Sequence, residues 1–284
     1  MEFVLCAFSD EAGASLDEQI AALKRNNIGH MEIRSVDGVN IGSISQDKAR
    51  EYSKRLKESG IKVWSIGSPL GKIKITDDFG QHLELTRHVI ELAKIFETDK
   101  IRMFSFYIND HKADRSEVID RLSKMAELAS QSGVTLCHEN EKGIYGDMAG
   151  HVDDLLKSVK GLKSVFDTAN FIQCGQDVGE AMDMLLDKAE YIHIKDAIYG
   201  TGEVVPAGMG DGRIEEILSR TQDKVLTLEP HLKIFSGYGA IDKHELKNRY
   251  TFKDNNEAFD AAAAALKNVL AKLGYSESGG KWVK

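Results

Sequence analysis

The sequence has little proline and little cysteine, three of each among 284 residues. Cys6, Cys137 and Cys174 are widely spaced, odd in number and without a CxxC pair, which excludes a disulfide framework. They read as free thiols in a reducing, cytoplasmic compartment. No uninterrupted apolar run approaches the roughly twenty residues that span a bilayer, and the opening MEFVLCAF is short and has no basic leader. Membrane and secretory roles are therefore not expected. Positive charge is not in excess either: 37 Lys and Arg stand against 45 Asp and Glu, for a formal charge of −8. That balance excludes broad binding to a nucleic-acid backbone. No low-complexity linker marks a boundary, so residues 1–284 are expected to form a single domain; assembly with copies of itself is left open.

What is present is a rhythm. Short β-rich runs begin at Glu2, His30, Ile61, Lys100, Val134, Leu162, Tyr191 and Lys224, spaced 28 to 39 residues apart. Each spacing is the length of one strand plus a crossover helix. The segments after Leu16 and Glu117 place apolar residues at three- and four-residue steps, as amphipathic helices do. Ser15 and Ser116 stand where N-caps belong, and Gly60 and Gly133 where C-caps belong. A doubly wound open sheet alternates in the same way, but eight units in a chain near the typical length of about 250 residues favour a closed (β/α)8 TIM barrel. Two connections are long, Ser68 to Gly80 and His231 to about Phe252, and both follow strands at the end where lids are usually built.

In such a barrel the carboxyl ends of the strands face the active site. The last four strands each carry one candidate ligand there: Glu139 in HEN, Asp167 in FDTAN, His193 in HIKDA and Glu229 in LEP. Alternation along each strand turns all four to the inner face. Three carboxylates and one imidazole repel one another unless a cation joins them. An oxygen-rich set with one nitrogen suits a single divalent ion, Mn²⁺ foremost, with Mg²⁺, Co²⁺ or Zn²⁺ also compatible. The structural alternative for each residue alone is a core histidine or a capping acid; four successive strand ends make that alternative weak.

At these residues the chain resembles the sugar isomerase/epimerase superfamily of xylose-isomerase-like barrels. LCHENE, FDTANF, HIKDA, PAGMGDGRIEEIL and LEPH carry the resemblance in order, with IRMFSFY on the fourth strand. The resemblance implies that Glu139, Asp167, His193 and Glu229 hold one divalent metal and that Glu139 and Glu229 form the acid/base pair of an epimerase. The chain departs from the ketose epimerases at Asn170, where those enzymes usually carry histidine. The superfamily also includes dehydratases and three-zinc apurinic endonucleases, the latter at odds with the charge of −8.

The chemistry expected is proton abstraction beside a carbonyl, with a metal stabilising the enediolate, on a small ketose, cyclitol or sugar derivative. His138, Asn140, Asn170, Lys195 and His231 are expected around the substrate, each with a structural hydrogen bond as its plainer role. Arg102 is expected to bind a substrate carboxylate or phosphate, or else to pair with Glu32 or Glu139. The loop ENEKGIYGD is expected to line the pocket. SPLGK lacks P-loop spacing, and GMGDG reads as a turn whose glycines permit positive φ rather than a dinucleotide site. Rival readings are a keto-sugar or ketocyclitol dehydratase and a non-catalytic sugar-binding barrel.

Overall fold

A computed structural model describes residues 1–235 and 250–284. Eight strands run parallel: β1 (Glu2–Ala7), β2 (His30–Ile33), β3 (Lys62–Gly67), β4 (Lys100–Met103), β5 (Thr135–Glu139), β6 (Lys163–Asp167), β7 (Ala189–Ile194) and β8 (Lys224–Leu228). Each pairs with the next in the chain, and β8 returns to β1 with Leu226 opposite Leu5, so the sheet closes. The expected TIM barrel is the one observed. A C-terminal hairpin, Ser276–Ser278 with Lys281–Val283, adds an antiparallel edge to β1, pairing Glu2 with Val283 and Phe3 with Trp282. It occupies the early residues of β1 that β2 does not reach, since β2 begins opposite Cys6.

The helices α1 (Leu16–Arg25), α2 (Gln46–Glu58), α3 (Phe79–Ile95), α4 (His111–Gln131), α5 (Ala149–Ser158), α6 (Thr168–Gln173), α7 (Val178–Leu185), α8 (Ile214–Arg220) and α9 (Asn255–Lys272) lie in the connections and after β8. Ser15 caps α1 in a capping box: it accepts the Glu18 N–H and donates its own N–H to the Glu18 carboxylate. Such a cap is worth about 1 kcal/mol. Ser116 is not a cap, because α4 starts earlier, at His111, and is N-capped by Asp110, whose carboxylate accepts the Ala113 N–H at 2.7 Å. Its polar first turns carry no apolar signal, so periodicity cannot see them. Gly60 and Gly133 do follow their helices with φ of +76° and +72°, the left-handed closure that glycine allows.

The interior of the ring is filled by Cys6, Cys137, Val165, Tyr191 and Val225, a small apolar plug beneath the mouth. A larger cluster, including Phe3, Leu92, Leu122, Leu185 and Leu266, fills the space between strands and helices. Among the described residues no helix is long and apolar enough to cross a membrane, and all three cysteines are free.

The long connection after β3 is a wall rather than a lid. Phe104, Phe106 and Tyr107 donate backbone N–H bonds to Leu70, Gly71 and Ile73, and Gly71 donates to His82 Nε2 at 2.8 Å. Gly71 has φ of +82°, and a Cβ there would lie 2.0 Å from the Phe104 carbonyl oxygen, so glycine is required twice over. Most of the second long connection, 236–249, lies outside the described residues.

Candidate metal centre

The four expected ligands converge. Glu139 ends β5, Asp167 ends β6, His193 lies in β7 and Glu229 follows β8, and each brings a donor atom within 4.8 Å of the others. All are 0 to 3% exposed. Alternation explains why: Cys137, Val165, Tyr191 and Val225 are the inward residues below them in the apolar plug. His193 Nδ1 lies 3.1 Å from Glu139 Oε1 and 3.2 Å from Glu229 Oε2, while its Nε2 meets Glu32 Oε2 at 3.1 Å. The ring is thus oriented by Glu32 from behind, with Nδ1 left toward the carboxylates, which is how a ligating histidine is usually held.

Electrostatics set the four apart. Burial pushes the Asp167 carboxyl up to about 7 against the pull of Lys195, with Glu229 and Glu139 adding to the rise. Burial would also raise Glu139, but His193 and Arg102 outweigh it and hold the carboxyl at about 2. Glu229 is held well below the carboxylate range because Lys195 and His231 overcome burial. His193 is raised well above its usual value: burial opposes its charge, and Glu139 and Glu32 prevail. Asp167 Oδ2 is buried and has no geometrically aligned hydrogen bond, although Lys195 Nζ stands 2.9 Å away. A buried acid with a badly aligned partner, beside three other donors, fits a divalent cation better than a finished salt bridge.

The remaining expected residues divide. Arg102, Asn170, Lys195 and His231 line a small pocket together with Glu139 and Glu229 of the four candidate ligands and with Lys72, Phe104, Glu141 and Gln173. Arg102 follows its structural alternative, standing 3.1 Å from Glu139 and donating Nη1–H to the Ser68 carbonyl. Asn170 donates Nδ2–H to Glu139 Oε1 at 3.3 Å and to the Asn140 carbonyl at 2.8 Å. Lys195 lies between Asp167 and Glu229. The His231 ring is 3.3 Å from Glu229 Oε1 and 3.4 Å from Glu11, and the same three residues bring donors within 4.8 Å of one another. His138 and Asn140 are placed elsewhere. His138 points to the outer side of β5, where Nε2 meets Ser105 Oγ at 2.9 Å and burial lowers its pKa to about 4. Asn140 ties β5 to β6, donating to the Asp167 carbonyl and accepting the Asp167 N–H. Alternation from Glu139 predicts both displacements.

Of ENEKGIYGD, Glu141 reaches the mouth, whereas Tyr145 turns outward to donate its hydroxyl to Asp154 at 2.7 Å. Lys72 of SPLGK sits over the Phe104 ring at 4.3 Å and 3.3 Å from Glu141. In GMGDG only Gly208 has positive φ. Gly210 and Gly212 are needed for a different reason: a Cβ would come 2.4 and 2.6 Å from Asp196 Oδ1. The Asp196 carboxylate accepts the N–H groups of Ala197, Gly208, Gly210 and Gly212 at 2.9 to 3.0 Å, which offsets its burial.

Residues missed in the sequence come from the first half of the barrel. Arg34, 2% exposed, donates to Asp10 through Nε and Nη2, to Glu11 through Nη2 and to Glu229 through Nη1, all at 3.0 Å. Its guanidinium lies 4.2 Å from the Phe8 ring centroid. Glu32 receives both the His193 ring and the Tyr191 hydroxyl. Glu32 and Arg34 were visible as an i, i+2 pair at the end of the second strand. Asp10 and Glu11 lie in a 3₁₀ turn after β1, which has no periodic signal.

Residues 20–269 match the family model described as xylose isomerase-like TIM barrel. The chain belongs to that family. No curated protein sequence matches it significantly. Among solved structures of the same fold, the probable 3-DHS dehydratase AsbF of Bacillus anthracis superposes with a TM-score of 0.70 at 20% identity, covering 94% of this chain and 98% of its own. The IOLI protein with a bound zinc atom gives 0.72 at 16%, covering 95% and 98%. D-psicose 3-epimerase, solved in the presence of D-fructose, gives 0.72 at 16%, covering 95% and 99%. At these identities the likeness establishes the fold, and the chemistry rests on the mouth itself.

Proposed function

We propose that the protein is a divalent-metal-dependent isomerase or epimerase of a small ketose, cyclitol or sugar derivative. The observation that carries this reading is the meeting of Glu139, Asp167, His193 and Glu229 within 4.8 Å at the carboxyl ends of consecutive strands. Those residues fit Mn²⁺ best, as three carboxylates and one imidazole without thiolate, and leave Mg²⁺, Co²⁺ or Zn²⁺ compatible. When bound, such an ion supplies electrophilic stabilisation of the charge that develops on substrate oxygens as the neighbouring carbon loses its proton.

The chain's own residues would do the rest. Glu139 and Glu229 approach from β5 and from beyond β8, so one carboxylate can take the proton and the other return one to the opposite face. Asn170 holds Glu139 by its Nδ2–H, and Arg34 holds Glu229 by Nη1, which fixes both carboxylates before substrate arrives. Lys195 and His231 stand at the mouth as donors to substrate oxygens. The D-psicose 3-epimerase among the structural relatives supports this reading only at the level of the fold.

The test is solvent-deuterium incorporation into a panel of keto- and aldo-sugars with Mn²⁺ added. Carbon-bound label in at least one of them is expected, and Glu229→Gln should remove it while the circular dichroism stays native. Undiminished labelling in that variant would exclude Glu229 from proton transfer. One observation favours a second reading, dehydration: the His231 imidazole lies 3.3 Å from Glu229 Oε1. Glu229 would take the proton beside the carbonyl while the His231 ring donates one to a departing β-hydroxyl, leaving an enone and water. An ultraviolet enone band in place of labelled sugar would mark that outcome.

A further inference from the structure

Outside the mouth, on the rim between α4 and α5, three side chains from separate segments gather without any part in the chemistry above. His111 opens α4, Asp147 lies in the connection leaving β5, and His151 lies in the first turn of α5. His111 Nε2 is 3.1 Å and His151 Nδ1 is 2.8 Å from the same Asp147 Oδ1. The two imidazoles are stacked, with centroids 3.9 Å apart and planes within 18°. Behind them the Tyr145 ring lies 5.6 and 5.4 Å from their centroids, and its hydroxyl is fixed by Asp154.

We propose that His111, Asp147 and His151 form a second divalent-metal site, of the kind zinc occupies, sharing no residue with the mouth. The donor atoms lie within 4.8 Å of one another. Two imidazole nitrogens and one carboxylate oxygen are the mixed, thiolate-free set that Zn²⁺, Co²⁺ and Ni²⁺ take. The side chains are 39, 19 and 35% exposed, so water can complete the coordination and an ion can enter. Both ring nitrogens already face the one Asp147 oxygen, and for a single ion to lie in the plane of each ring the two imidazoles splay from their stacked orientation. The N-termini of α4 and α5 lie close by and disfavour a cation, which limits affinity without removing the site. A bound ion would tie the connection that carries Glu141 to the start of α4.

The experiment compares the metal-stripped full chain with its His111→Asn/His151→Gln variant, each titrated with Co²⁺ by calorimetry and visible absorption. The wild type is expected to bind one more equivalent than the variant and to show a d–d band that the variant loses. Equal stoichiometry and equal spectra would overturn the proposal, whatever the mouth binds, because the comparison counts only the difference. Should the double variant fail to fold, diethyl pyrocarbonate footprinting of the wild type gives the answer. Zn²⁺ should slow modification of His111 and His151 at least about fivefold, and unchanged modification would refute the site.

Discussion

Asp196→Asn is the substitution whose cost the structure states most directly. Asp196 is 1% exposed, and its two oxygens accept four backbone N–H groups: Oδ1 those of Ala197 and Gly212, Oδ2 those of Gly208 and Gly210. Four donors and no acceptor require the ionised carboxylate, even though burial raises the acid. Asparagine keeps one oxygen and presents an NH2 in place of the other. Whichever way the amide is turned, two accepting contacts become donor against donor. At about 1–3 kcal/mol for each buried group left unsatisfied, the loss is about 4 kcal/mol. For a domain of this size that is a fall in Tm of about ten degrees. Urea denaturation followed by fluorescence of the two tryptophans measures it. A variant that unfolds within about 1 kcal/mol of wild type would refute the reasoning, because the carboxylate would then be replaceable in the turn that leads to α8.

Gly210→Ala tests the same turn from the other side: its Cβ would lie 2.4 Å from Asp196 Oδ1 and 2.5 Å from the Ala197 carbonyl, and a destabilisation of about 2 kcal/mol is expected by the same urea assay. Arg34→Met leaves Asp10, Glu11 and Glu229 buried without their shared cation and should cost about 3–5 kcal/mol; a melting point unchanged from wild type would contradict that account. Under the proposed function, saturating Mn²⁺ at a hundred times its dissociation constant should stabilise the wild type by about 2.7 kcal/mol, and His193→Gln should abolish the thermal shift. His82 is lowered from 6.5 to about 4, chiefly by burial, so its contribution is complete above pH 6.5 and is lost as pH falls toward 4, while the unfolded chain takes up the proton and the native one does not. That single group adds a slope of about 1 kcal/mol per pH unit near pH 5, which His82→Asn should remove from the pH dependence of unfolding.

The barrel and the convergence of its four candidate ligands were legible because both obey short periods. Strand spacing announced eight units, and alternation turned Glu139, Asp167 and Glu229 to the same face as the apolar plug. The same rule, applied one residue off, would have sent His138 outward, to Ser105. It would also have drawn Glu32 and Arg34 into the mouth, despite the register shift between Met31 and Glu32. Asp10, Glu11 and Asp196 escaped because they sit in turns, where partners are chosen by backbone N–H groups and by distant side chains rather than by a repeat. In YIHIKDA the strand ends at Ile194, and the three ionisable residues separate into a candidate ligand, a mouth-facing lysine and the acceptor of a glycine turn.

The first strand draws its neighbours from opposite ends of the chain: β8 along one edge, the C-terminal hairpin beside Glu2 and Phe3 on the other, and β2 only from Cys6 onward. During synthesis, therefore, β1 is made with most of its ladder still unmade, and the ring cannot close until β8 has followed it. Removing residues 276–284 would strip Phe3 of Trp282 and leave a bare strand margin, making such truncations prone to sticking edge to edge while the residues at the mouth stay in place.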